Sequence, residues 1–240
     1  MEKNVIIFGG EGGIGNSIAK LFKHRGSRVF SLDIQKRTHD NIEFVQCNII
    51  NPESIEKSVN KVIELCGKID IVINCAAIQI VESFEELSFE NWKKTIDTNL
   101  NGNVYCSKLL LNVVNPGGAI VTISSIHSTV PRVNKYAYDA SKAALTMFSM
   151  ELALLAAKRG IRVNVVEPGI INMGMNADVV FDVKEIENQV PMKRIGKPDE
   201  VAKLVYFLCS DEASYIHGAV IPIDGGKRLT GWGPNTKQQK

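Results

Sequence analysis

The stretch "VIIFGGEGGIGNSIAKLF", Val5 to Phe22, constrains this chain most. A short β-branched run ends on glycine, and an amphipathic helical pattern begins a few residues later. Glycines at 9, 13 and 15 fill the turn between them. Glycine tolerates the positive φ of a tight strand-to-helix turn and lets another group approach the backbone closely. The helix beyond the turn presents unpaired N–H groups and the positive end of its dipole, which suits a phosphate. Read alone, a glycine triplet is equally a plain turn. Its place after a first strand and before a helix points to a dinucleotide site.

The rest of the chain repeats that unit. Strand-like runs at Val5–Phe8, Arg28–Leu32, Ile42–Gln46, Ile69–Asn74, Ala119–Ser124, Arg162–Val166 and Val220–Ile223 are short, apolar and bounded by turn residues. Such runs suit parallel strands buried on both faces. Helical periodicity fills the gaps. Ile14, Ile18, Leu21 and Phe22 share one face, as do Ile55, Val59, Val62 and Ile63, where Asn51 can cap and Pro52 sits in the first turn. A helix after Ser88 should turn Trp92, Ile96 and Leu100 inward, and others should begin near Tyr138 and Pro198. Leu32 and Ile42 are too close for a crossover helix, so a loop is expected there. The fold expected is α/β: a Rossmann-type doubly wound parallel sheet of about seven strands with helices on both faces. The 240 residues read as a single domain, 1–240, with a polar C-terminal tail over 227–240.

Composition narrows the partners. A net charge of +2 gives no reason to expect nucleic acid or an anionic membrane. No apolar stretch looks as long as the roughly 20 residues of a membrane span. Five scattered cysteines without CxxC spacing read as reduced thiols in a cytoplasmic protein, and no metal site is expected. From Ala143 to Ala157 the only polar residues are Thr146, Ser149 and Glu151. A helix apolar nearly all round is covered on more than one side. A second copy of the chain is the expected cover, making a homo-oligomer, dimer or tetramer.

Asp33 ends the second strand, eighteen residues after the last loop glycine. A carboxylate there accepts from the hydroxyls of an adenosine ribose and repels a 2′-phosphate, which favours NAD over NADP. Glu11 argues the same way; Lys36 and Arg37, close by, argue against it. In "YAYDASKAAL" only Tyr138 has a lysine four residues on, Lys142, and so shares a helix face with it. A free phenol titrates near ~10, and a neighbouring cation favours phenolate. Tyr138 is therefore a candidate general acid/base. Alone, the pair also reads as a surface contact. Ser124 and Ser125 follow a strand at its C-terminal end, the edge where open α/β sheets bind ligands.

Together these residues resemble the short-chain dehydrogenase/reductase family from about Lys3 to Gly226. The likeness rests on "FGGEGGIG", "TIDTNLNG", Ser125 thirteen residues before Tyr138, "YDASK", "RVNVVEPG" and the closing "KRIGKPDEVAKLVYFLCSDEASYIHGAVIPIDGG". It implies an NAD(H)-dependent oxidoreductase acting on a small-molecule alcohol or ketone. Tyr138 would exchange the proton and Ser125 orient the reacting oxygen. Lys142 would lower the phenol pKa and bind the nicotinamide ribose. Asn99 would bend its helix around a water that links Lys142 to solvent. Gly9, Gly13, Ile14, Gly15, Asp33, Asn48, Asn74, Ala76, Tyr138, Lys142, Pro168, Gly169 and Ile171 would line the cofactor.

Phe8, Asn48, Cys75, Ala77 and Met173 depart from the family pattern, and Cys75 reads as a buried thiol. Residues 173–191 should form a lid whose apolar face is Met173, Met175, Val179, Val180 and Phe181. His127 and Arg132 are candidates for a polar or anionic substrate group, or for structural and solvated roles. The segment around Tyr138 is locally similar to 2,3-dihydro-2,3-dihydroxybenzoate dehydrogenases. Sugar, polyol and hydroxysteroid-type substrates also fit. Two alternatives stand beside the NAD enzyme: an NADPH-dependent 3-oxoacyl-thioester reductase, and a non-catalytic dinucleotide-binding redox sensor.

Overall fold

The computed structural model describes residues 2–37, 42–172 and 183–230. Seven parallel strands form one sheet: β1 (Asn4–Phe8), β2 (Arg28–Asp33), β3 (Glu43–Gln46), β4 (Ile69–Asn74), β5 (Val114–Ile123), β6 (Arg162–Pro168) and β7 (Val220–Ile223). Their order is β3-β2-β1-β4-β5-β6-β7. The order reverses direction between β1 and β4, which pair with Phe8 opposite Asn74. A crevice therefore opens at the C-terminal ends of these two strands, where such sheets take ligands.

Alternation along each strand explains the two covered faces. Ile6, Phe8, Phe30, Leu32, Val72 and Ile120 belong to one buried cluster. Val5, Ile7, Val29, Ile71, Ile73 and Val121 belong to another. Successive side chains point to opposite faces, so both must be apolar when helices cover both. Helices α1 (Gly13–His24), α2 (Pro52–Cys66), α3 (Phe89–Ile96), α4 (Gly102–Leu110), α5 (Tyr136–Ala157), α6 (Val183–Asn188), α7 (Pro198–Cys209) and α8 (Lys227–Thr230) complete the chain. Ile18 and Phe22 of α1 join the second cluster with Val201 and Val205 of α7. Ile55, Val59 and Val62 of α2 join the first. Asn51 caps α2 by accepting from Ser54 N at 3.1 Å, as its position implied.

Several expectations are corrected. β3 starts at Glu43, β5 starts earlier, at Val114, and stops at Ile123, and α5 starts at Tyr136. Trp92, Ile96 and Leu100 are half-buried, while Thr95 and Asn99 are fully buried. Asn99 can go inward because its amide is paired, bonding the Ile78 backbone and Ser141, whereas Thr95 Oγ1 has no hydrogen-bond partner among the described residues. One helix, α5, is long and apolar enough by length and composition to cross a membrane, contrary to the reading of the sequence. In the fold it packs over β6 and buries Tyr138, Ser141, Lys142, Leu145, Ser149 and Leu152. Between Asp33 and Glu43 the described residues contain no helix, in line with a looped connection.

Gly9 locks the crevice. Its φ is +78°, and a Cβ there would lie 2.6 Å from the Ala76 backbone. Gly9→Ala should lose at least about 2 kcal/mol of stability to urea denaturation, from backbone strain and collision together. Gly26 has φ +83° with nothing within 4 Å of the same added atom. Gly26→Ala should lose only about 1 kcal/mol, from conformation alone. Equal losses would show that the approach of β1 to β4 is not tight.

Candidate active site

The glycine loop forms because β1 ends on residues that cannot extend it. Gly9 N donates to Leu32 O at 2.8 Å, and Gly12 N donates to Gly9 O at 3.2 Å. A Cβ on Gly15 would lie 2.1 Å from Gly9 O, so the first turn of α1 sits directly on the loop. Gly12, at the helix N-cap, offers no side chain, and the first-turn N–H groups from Gly13 and Ile14 onward have no side-chain cap. This cradle fits a pyrophosphate.

Asp33 and Glu11 do more than the spacing implied. Asp33 Oδ2 accepts from Glu11 N at 3.1 Å and Oδ1 from Ile34 N at 2.8 Å. Glu11 is buried; its carboxylate accepts from Ser31 Oγ at 2.6 Å and Arg37 N at 2.7 Å. The two acids stitch the glycine loop to the end of β2 and concentrate negative charge there. Asn48 lines a groove of about 450 Å³ with Ile34, Gln46, Asn51 and Ser54 at the ends of β2 and β3. Its amide oxygen accepts from Ile50 N at 3.3 Å.

The other expected cofactor residues divide. Ala76 lies against Gly9, and Pro168 and Gly169 sit at the end of β6 with Gly169 N donating to Ile223 O at 3.0 Å. Ile171 pairs with Gly196 through its neighbours' backbone groups, so its own N–H and C=O face the other way. Asn74 does not send its side chain to the crevice. Its Nδ2 donates to Ser107 Oγ at 3.2 Å, in the interface with α4. The lid residues Met173, Met175, Val179, Val180 and Phe181 lie outside the described residues.

Tyr138, Lys142 and Ser125 come together. All three are buried, and Lys142 Nζ is 5.7 Å from the Tyr138 ring centroid. Ser125 accepts from His127 N at 3.2 Å, and its hydroxyl beside the Tyr138 phenol favours the ionised form of that phenol. Asn99 stands in a π-turn, Asp97–Asn101, between α3 and α4. Its Oδ1 accepts from Ile78 N at 2.8 Å, and its Nδ2 donates to Ile78 O at 2.9 Å and Ser141 Oγ at 3.0 Å. It thus ties the β4 loop to the residue before Lys142.

The electrostatics run opposite to the expected direction. Burial pushes the Tyr138 phenol up to about 12, and the bond to Ser125 only partly offsets it. Burial lowers Lys142 to about 8. Its ammonium is turned to Ile123 O, 3.0 Å away, and is not among the groups that shift the phenol. Without ligand the pair is a neutral phenol beside a weakened ammonium, because desolvation outweighs their mutual attraction.

Two features escaped the sequence reading. Glu167 is buried behind the serines, accepting from Ser128 Oγ and, at 3.2 Å, from Thr146 Oγ1. Thr146 in turn bonds Ser124 Oγ at 2.8 Å, so this carboxylate braces the strand end that carries Ser125. A glutamate just before Pro-Gly was visible in "RVNVVEPG", but nothing in the sequence announced its burial. Lys135 also lies at the site, with its Nζ 5.7 Å from the Tyr138 ring centroid.

Comparison with known proteins agrees with this geometry. Residues 9–228 match a family model described as enoyl-(acyl carrier protein) reductase. The chain is 33% identical to glucose 1-dehydrogenase 2 of Bacillus subtilis, covering 95% of each. It is 34% identical to a 3-oxoacyl-(acyl-carrier-protein) reductase of Chlamydia muridarum, over 94% of this chain and 97% of that protein. The solved ligand-free aldohexose dehydrogenase of Thermoplasma acidophilum superposes with a TM-score of 0.91 at 32% identity, over 97% and 96% of the two chains. This chain belongs to the short-chain dehydrogenase/reductase family, whose members bind a nicotinamide dinucleotide.

Cys75 follows β4 and donates its N–H to Phe8 O at 3.0 Å. Burial pushes its thiol up to about 12. At pH 8 its thiolate fraction should be on the order of a thousandfold below that of a free cysteine. Labelling by iodoacetamide, followed peptide by peptide in a mass spectrometer, should be slower by that factor. A rate within tenfold of free cysteine would contradict the burial.

Proposed function

We propose that this chain is an NAD(H)-dependent oxidoreductase that interconverts an alcohol and a ketone, a single domain over residues 1–240 acting in the cytoplasm. The observation that carries the reading is the buried Tyr138 phenol. It lies beside Ser125 and shares a face with Lys142, at the sheet edge that also holds the glycine cradle. When bound, the dinucleotide supplies the hydride donor or acceptor. Tyr138 gives its proton to a ketone oxygen or takes one from an alcohol. Ser125 holds that oxygen by a second hydrogen bond. Lys142 would leave Ile123 O for a ribose hydroxyl when the dinucleotide binds. Asn99 fixes the segment carrying Lys142 through Ser141.

NAD is preferred over NADP in this reading because Glu11 and Asp33 hold two carboxylates where a 2′-phosphate would come. A relative of 33% identity, from Listeria innocua, is named an NAD-dependent glycerol dehydrogenase. The relatives named as 3-oxoacyl reductases support the second reading, a reductase of acyl thioesters. Self-association also belongs to the proposal. Met147, Met150, Leu154 and Leu155 leave one side of α5 apolar and exposed, with Leu154 74% accessible.

Tyr138→Phe should lower hydride transfer about 100- to 10,000-fold across a panel of alcohols and ketones, with NAD(H) affinity changed only a few-fold. Retained turnover in that variant would refute the assignment. A wild type that binds NADH yet turns over nothing in the panel would favour a redox sensor. Because the phenol starts near 12, alcohol oxidation, which needs phenolate, should climb from pH 7 to 10. Ketone reduction, which uses the neutral phenol, should stay level over that range.

A further inference from the structure

The proposed chemistry leaves one buried acid without a task. Glu167 is 1% exposed and stands at the C-terminal end of β6, next to the last pair that β6 makes with β5. It is not among the groups that act on the Tyr138 phenol. Its Oε1 accepts from two hydroxyls that belong to different elements. One is Ser128 Oγ, at the end of the short turn Ile126–Ser128, and the other is Thr146 Oγ1 of α5, at 3.2 Å. A carboxylate accepts and does not donate, so both hydroxyls give it their single proton. Ser124 is then left to donate to Thr146 Oγ1, 2.8 Å away, or to Lys142 O, 3.1 Å away.

Each arm of this set reaches a group that the proposed reaction uses. Ser125 caps the turn that Ser128 ends: its Oγ accepts from His127 N at 3.2 Å and its O accepts from Ser128 N at 2.9 Å. The turn is thereby one piece, with Ser125 at one end and the Ser128 hydroxyl at the other. Thr146 lies four residues after Lys142 and eight after Tyr138, and all three are on the buried face of α5. One carboxylate oxygen thus ties the turn that carries Ser125 to the helix that carries Tyr138. Stability alone does not call for a carboxylate here, since a well-packed apolar side chain often serves a buried position as well or better. What an apolar side chain cannot do is hold two hydroxyls at one point.

We propose that Glu167 is a positioning residue for proton transfer: by fixing Ser128 and Thr146 to one oxygen, it sets the place of the Ser125 hydroxyl against the Tyr138 phenol. The inference rests on the proposed oxidoreductase reading for the reaction, and on these hydrogen bonds alone for the positioning. A displacement of about 1 Å at a reacting group costs on the order of 100-fold in rate. Glu167 acts through Ser125 and is not itself a donor or acceptor to substrate. The sign of its effect on the phenol separates positioning from plain electrostatics. Deleting a negative charge near a phenol favours phenolate. Withdrawing the Ser125 hydroxyl, which favours the ionised form, does the opposite.

Two measurements test this, and the first needs no turnover. The ionised fraction of Tyr138 at pH 10.5 is read by carbon-13 NMR of tyrosine-labelled protein with NAD bound, the signal being assigned by its loss in Tyr138→Phe. Glu167→Met should reduce that fraction about threefold or more, as Ser125→Ala does, and should reduce it no further when added to Ser125→Ala. Glu167→Gln, whose amide oxygen can accept from both hydroxyls, should stay near the wild type. A fraction unchanged or increased in Glu167→Met would overturn the proposal.

The second is turnover of the alcohol that the wild type oxidises fastest. Glu167→Met should lower kcat about 10- to 100-fold with the KM for NAD changed only a few-fold, and Glu167→Gln should recover most of the loss. In the Ser125→Ala background the same substitution should cost less than about twofold, because residues that act together are not additive. Equal losses in both backgrounds would place the effect of Glu167 elsewhere and overturn the proposal. A wild type without turnover would refute the oxidoreductase reading, and the phenol measurement would still decide the role of Glu167. Ser128→Ala leaves Glu167 in place and guards against a folding defect in the first variant. It should move both readouts in the same direction as Glu167→Met, and wild-type values for it would overturn the proposal.

Discussion

Desolvation of a single phenol governs this site. Tyr138 lies in the first turn of α5, where the helix meets the C-terminal edge of the sheet, and is almost wholly removed from water. Burial makes its neutral form the stable one and drains charge from the nearby Lys142 as well. A phenol in that condition neither loses a proton to solvent nor reacts by itself. In the proposed function it would become a base only with positive charge beside it, such as that of an oxidised nicotinamide. On that proposal, cofactor binding would come before proton exchange.

The scaffold makes that arrangement rigid by backbone contact. Gly9 touches Ala76, Gly15 touches Gly9, and neither approach tolerates a Cβ. Asp33 and Glu11 tie the same loop to β2. Asn99 holds the β4 loop from the other side, while Glu167 braces the strand end bearing the serines. Glycine cradle and phenol are therefore attached to neighbouring strand ends, and a shift in one is felt by the other.

The strands, the glycine cradle and the Tyr138–Lys142 face were legible because each rests on local periodicity or spacing. What the sequence hid depends on partners far along the chain. Trp92, Ile96 and Leu100 look like the core of their helix, yet Asn99 displaces them because the Ile78 backbone, twenty-one residues away, satisfies it. Asn74 follows the family motif but turns to Ser107. The direction of the Tyr138 shift was misjudged for the same reason. A lysine at helical spacing is visible in sequence, whereas the depth of burial that outweighs it, and the Ile123 carbonyl that engages it, are not. Nothing in the sequence singled out Lys135, and Lys227 opened a stretch read as a polar tail, yet the fold buries both.

Proton counting on cofactor binding tests the central claim most directly. NAD and NADH are titrated into the protein at pH 9 in buffers of different ionisation enthalpy, with Tyr138→Phe alongside. The account requires NAD to release protons, NADH to release few or none, and the excess to vanish in Tyr138→Phe. An identical count in wild type and variant would mean that Tyr138 does not respond to the nicotinamide charge, and the account would fail.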